Sequence, residues 1–104
     1  MRLAMDYSGG ALAAPRSLDD PTTLRGAAPF EIVQLIPANW QRRRTRNDLG
    51  DRYSDPERLG NQIRIMEGNP RDPELLKRGP YLVISMDGQR WRVPLKGNPT
   101  LTSS

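Results

Sequence analysis

The chain contains no cysteine and no histidine. Without cysteine there is no disulfide to staple a small fold and no thiolate nucleophile. Without histidine the usual general base of a nucleophilic triad is missing, and with both absent no Cys/His zinc site can form. Lysine is scarce as well: of the 16 basic residues, only Lys77 and Lys96 are not arginine. Both fall near expected element ends, where a solvated surface amine is the default. Aromatic residues make up 6% of the chain and hydrophobic residues 36%, below the usual ~45–50% apolar content of a globular domain. No stretch approaches the ~18 consecutive apolar residues of a membrane span. Residues 1–14 carry no apolar core behind a basic start, because Asp6, Ser8, Gly9 and Gly10 interrupt it, so no secretory leader is expected there. These absences argue against an enzyme, a cofactor, a metal, a small-molecule substrate and a membrane partner. They place the expected setting in the cytoplasm or within a virus- or phage-like particle.

What is present is arginine. Four arginines crowd one short stretch, Trp40-Gln41-Arg42-Arg43-Arg44-Thr45-Arg46, in a chain of net charge +4 and pI near 10.1. Codon usage can produce an arginine bias without function. The functional alternative is chemical: the guanidinium is a flat fork that bonds phosphate or carboxylate in bidentate fashion and stacks on planar groups. Trp40 beside the cluster and Tyr53 beyond it complete a mixture found at protein interfaces and at single-strand or RNA surfaces. Candidate partner-binding residues are therefore Trp40, Arg42, Arg43, Arg44, Arg46 and Tyr53. The acids Asp48, Asp51, Asp55 and Glu57 lie among them without the spacing of a calcium loop. Ion pairing with neighbouring arginines is the better reading of those acids, and no metal site is expected.

The 104 residues allow one domain, and 10 prolines with 9 glycines leave much of it irregular. Residues 1–29 scatter isolated apolar side chains without a period and read as an extended arm. Residues 30–36 (Phe-Glu-Ile-Val-Gln-Leu-Ile) read as a first strand between Pro29 and Pro37. A polar, arginine-rich loop follows over 38–61. Residues 62–67 alternate Ile63 and Ile65 against Arg64, which is strand grammar. Residues 81–86 and 89–95 form a hairpin around Asp87-Gly88, a strong two-residue turn signal. Pro94 has no N–H to give a ladder, so its strand is expected at an edge. Residues 98–104 read as a tail of a domain spanning 30–97.

Asp20-Pro21, Asp55-Pro56 and Asp72-Pro73 each combine a helix-capping residue with a proline suited to the first helical position. They predict short helical connectors.

The fold expected is mainly β: a small antiparallel sheet or a partly closed SH3-like or OB-like barrel of about four strands. Short helical turns and long irregular tails would complete it. The expected core is Phe30, Ile32, Leu35, Ile63, Ile65, Leu82, Ile84, Trp91, Val93 and Leu95. Val33, Ile36, Val83 and Met86 would point the other way. Arg64, Arg90 and Arg92 would leave the sheet together as a basic stripe. The first functional expectation is a non-enzymatic structural or assembly protein, a small accessory or connector subunit contacting protein neighbours through its arms and arginine loop. The alternative is a nucleic-acid-binding module using the arginine loop and Trp40.

Overall fold

Strand structure begins inside the arginine cluster. In the computed structural model, which describes residues 15–102, strand β1 is Gln41–Arg44, β2 Gly50–Ser54, β3 Gln62–Met66, β4 Tyr81–Met86 and β5 Gln89–Pro94. They form one antiparallel five-stranded sheet in sequential order, β1-β2-β3-β4-β5. β1 and β5 are its edges, so the sheet is open. The mainly β, antiparallel expectation stands. The sheet has five strands rather than about four, because residues 38–61 hold a hairpin, β1–β2, rather than a loop, and its two free edges make it an open sheet rather than a partly closed barrel. The β4–β5 turn is as expected, with Asp87 at φ 51 and Gly88 at φ 80, the two positive angles of a tight hairpin connection. β5, with Pro94, lies at the edge as its chemistry required.

Residues 30–36 do not form a strand. Helix α1 occupies Pro29–Leu35. Ile32, Leu35 and Ile36 are spaced i, i+3, i+4, a helical stripe that a period of two also partly fits. The local chemistry settles the choice. Pro29 takes the first helical turn, where its missing N–H is no loss. Glu31 reaches back so that its carboxylate accepts the Ala28 N–H at 2.8 Å and the Arg16 Nε–H at 3.1 Å. The backbone bond first, then the arginine, holds this carboxyl below the ordinary glutamate range. The helix turns Ile32 and Ile36 into the core, while Phe30 is 64% exposed and Val33 also faces outward. Phe30 is thus not a core residue, and Ile36 is.

The main core lies on one face of the sheet. It joins Ile63, Ile65, Leu82, Ile84, Val93 and Leu95 with Ile32 and Ile36 of α1 and with Leu24 and Ala27. Met86 packs on this side too, in phase with Leu82 and Ile84 along β4. Trp91 shares that phase but remains 37% exposed at the edge strand. A smaller cluster of Met66, Tyr81 and Val83 occupies the opposite face at one end, covered by Leu49 and by Leu76 of the 3-10 helix Leu75–Arg78. Burial pushes the Tyr81 phenol above its ordinary pKa.

Residues 15–28, expected as part of an arm, are stitched to the sheet. Leu24 and Ala27 are fully buried. The Gly26 N–H bonds the Pro94 carbonyl at 2.9 Å, and the Lys96 N–H bonds the Ala27 carbonyl at 2.9 Å. Residues 1–14 of that arm lie outside the described residues. Short helices follow Asp20-Pro21 and Asp72-Pro73, Pro21–Leu24 and Leu75–Arg78, but the capping role holds in one case: Asp20 accepts the Thr22 N–H. Asp55 and Asp72 instead accept the N–H two residues on, from Glu57 and Glu74, which makes capped turns rather than helix starts. The expected tail is also partly core, since Asn98 is 1% exposed. Among the described residues, no helix is long and apolar enough to cross a membrane.

Candidate anion interface on the sheet

Alternation along β1 divides the arginine cluster between two faces. Arg42 and Arg44 stand opposite Tyr53 and Asp51 of β2, and Arg43 stands opposite Arg52. On the first face the arginines are neutralised. Arg42 pairs with Asp51 at 3.2 Å. Arg44 pairs with Asp48 at 2.9 Å, Asp51 at 3.2 Å and Glu67 at 3.2 Å. It also donates to the Asp48 carbonyl at 2.6 Å. These bonds, to Asp48 first and then Asp51 and Glu67, raise its pKa further above neutrality. Asp48 sits at φ 60, a left-handed conformation few non-glycine residues adopt. Arg44 thus ties down the β1–β2 turn.

The second face is different. Register places Arg43 opposite Arg52, Arg52 opposite Arg64, Arg64 opposite Val83, and Val83 opposite Arg92. One cross-strand row therefore carries four arginines over five strands, a span of roughly 19 Å at about 4.8 Å per strand. Arg92 pairs with Glu74 at 3.0 Å. Arg43, Arg52 and Arg64 have no ion pair among the described residues. Like charges directly opposite each other destabilise a sheet. The Arg52 Nε is also buried with no hydrogen-bond partner among the described residues, an arrangement native proteins rarely keep without a reason. Arg90 stands on the same face two residues along β5, opposite Ser85.

At the turn end of the row, Arg46, Arg52 and Arg64 border a hollow of about 410 Å³ with Thr45, Asn47 and Met66. Among the described residues, no carboxylate lines it.

Arg64, Arg90 and Arg92, expected to share a face, do so. Arg43 joins them and Arg46 stands close by, whereas Arg42 and Arg44 face away. Trp40 and Tyr53 are half-buried against the main core, so neither is placed beside the free arginines. Tyr81 is the aromatic residue in phase with the row, and it is buried. Nothing in the sequence alone sets Arg52 apart as a member of this face. Its membership depends on which residue of β1 it faces, and the length of the turn sets that. No family model matches the chain, and no curated protein or solved structure matches it either.

Proposed function

We propose that the protein is a non-enzymatic nucleic-acid-binding module whose unpaired arginine face contacts the phosphate backbone. The observation that carries this is the row of Arg43, Arg52 and Arg64, opposed strand to strand with no acid between them. A face built only for solubility would intersperse charges of both signs. Here Asp48, Asp51 and Glu67 are drawn to Arg42 and Arg44 on the other side. Contact through phosphates needs no stacking aromatic, and none is exposed on this face among the described residues. Binding would then be largely independent of base sequence.

The test is fluorescence anisotropy with a short oligonucleotide, single-stranded and duplex, between 50 and 200 mM salt as order-of-magnitude bounds. Each phosphate contact contributes about 0.7–0.9 to the log–log salt slope. Replacing Arg43, Arg64 and Arg90 by Ala should flatten the slope by roughly 2–3. Arg42→Ala and Trp40→Ala should leave it nearly unchanged. Equal flattening by Arg42→Ala would reject the assignment to this face.

A second reading keeps the protein as a small accessory subunit of a larger particle, virus- or phage-like in kind. It is favoured by the outward face of α1, where Phe30 and Val33 are 64% and 43% exposed. Spaced i, i+3 on the helix, they form one small apolar spot that a protein neighbour would cover. Light scattering after size exclusion, on the wild type and on Phe30→Ser, tests it: a monomer in both, with no co-purifying neighbour, rejects this reading.

A further inference from the structure

We propose that the hollow beneath the β1–β2 turn takes a terminal phosphate monoester, so that the basic face holds the phosphorylated end of a nucleic-acid strand. The inference rests on the nucleic-acid reading above.

The groups left spare in the hollow are donors. Its lining includes three arginines, Arg46, Arg52 and Arg64. The acids nearest in sequence, Asp48 and Asp51, are engaged by Arg44 and do not line it. Asn47 Oδ1 already accepts the Thr45 hydroxyl at 2.7 Å and the Leu49 N–H at 3.1 Å. Its amide Nδ2 is left with no partner among the described residues. Arg52, whose Nε is buried with no hydrogen-bond partner among the described residues, has no ion pair among them either. Such a site selects a ligand rich in acceptor oxygens and negative charge.

Position and charge together favour the end of a strand over its middle. Along the strand direction the basic row is flanked on one side by Gln41, Ser54, Gln62 and Ser85, an open polar margin in register across the sheet. On the other side lie Met66 and Tyr81, packed under Leu49 and Leu76. A strand laid over the polar margin and the row meets that packed cluster and has to stop or turn. An internal phosphodiester brings one charge and two free oxygens. A terminal monoester brings about −1.5 to −2 charges and three acceptor oxygens, which three arginine forks can share. The volume exceeds what a phosphate needs and leaves room for the terminal sugar.

The experiment compares one oligonucleotide in three forms: 5′-phosphorylated, 3′-phosphorylated and with hydroxyls at both ends. A nucleoside monophosphate and inorganic phosphate serve as competitors. One phosphorylated form should bind on the order of tenfold tighter than the hydroxyl form, the effect of one additional charge-assisted contact. Arg46→Ala, on the exposed turn, should erase that difference while hydroxyl-ended strands still bind through Arg43 and Arg90. Arg46→Lys should restore part of it. Equal affinity for all three forms overturns the proposal and leaves the nucleic-acid reading intact. Competition by nucleoside monophosphate or inorganic phosphate as effective as the phosphorylated strand also overturns it, in favour of a free phosphate ligand. Failure of every strand to bind at low salt overturns the nucleic-acid reading itself.

Discussion

At the scale of single residues, Asn98 shows how a polar group becomes structural. Its Nδ2 donates to the Leu76 carbonyl at 2.7 Å and the Pro80 carbonyl at 2.8 Å, and its Oδ1 accepts the Thr100 N–H at 2.9 Å. Every polar atom of the side chain is satisfied, so burial costs little and ties three segments together. Asn98→Ala would strip its side-chain donor from the Leu76 carbonyl and leave the Pro80 carbonyl with the Leu95 N–H alone. Unsatisfied buried groups cost about 1–3 kcal/mol each. Asn98→Ala should therefore lower the melting temperature by more than about 4 °C, given about 4–8 °C per kcal/mol in a domain of this size. Thr102→Ala, which loses one exposed bond to the Pro99 carbonyl, should shift it little. Calorimetry on the two variants checks this, and equal melting temperatures would remove the structural role given to Asn98. The sequence offered no sign of this role, because an asparagine before a proline reads equally well as an exposed turn.

At the scale of elements, the β1–β2 hairpin is where sequence reading and structure diverge most usefully. Gln41–Arg44 has no apolar alternation and none of its side chains is buried, so hydrophobic pattern cannot reveal it as a strand. It forms because the turn closes on itself and β2 already pairs with β3. The turn is held by the Thr45 N–H to the Gly50 carbonyl at 2.9 Å and the Asp48 N–H to the Thr45 carbonyl at 2.9 Å. Arg44 clamps the left-handed Asp48 from outside. Its ion pairs are solvent-exposed and individually weak, so global stability should fall only modestly in Arg44→Ala. The local effect should be larger. Amide exchange at Thr45 and Asp48 should accelerate on the order of tenfold as the turn opens more often. Arg43→Ala, on the free face, should leave those amides unchanged. Hydrogen exchange read by NMR separates the two, and identical protection in both variants would exclude the clamp. Helix α1 is the converse error. Its residues are β-branched enough to read as a strand, and Pro29 with the Glu31 carboxylate decides otherwise.

At the scale of the whole molecule, binding and stability pull against each other. The arginine row repels itself, by about 0.2–1 kcal/mol for directly opposed like charges, and Arg52 buries an unpartnered Nε besides. Arg52→Thr places a good strand former at the centre of the row and removes both penalties. It should raise the melting temperature by a few degrees while weakening oligonucleotide binding, as when a functional site is built against stability. Added salt screens exposed charges over about a Debye length. Raising salt should therefore stabilise the wild type more than Arg52→Thr. Parallel melts at low and high salt, with anisotropy on the same samples, measure both effects. A destabilised Arg52→Thr would mean that Arg52 is held by contacts other than those seen.

The sequence by itself determined the class of the fold and its best-defined hairpin. Alternation of Ile63 and Ile65 against Arg64, the Asp87-Gly88 turn and the proline of the edge strand are local signals, and local sterics alone suffice to read them. It also excluded cysteine and histidine chemistry, which is a matter of composition. Tertiary structure decided which arginines are free. Arg42, Arg43 and Arg44 are chemically identical neighbours, and only pairing with β2 sends Arg43 to Arg52 while the others meet Asp51 and Asp48. Register over the sheet then aligned Arg52 with Arg64 and set the hollow beside them. Such alignments depend on turn length and strand pairing between residues distant in the chain, and a one-residue slip would have exchanged the two faces.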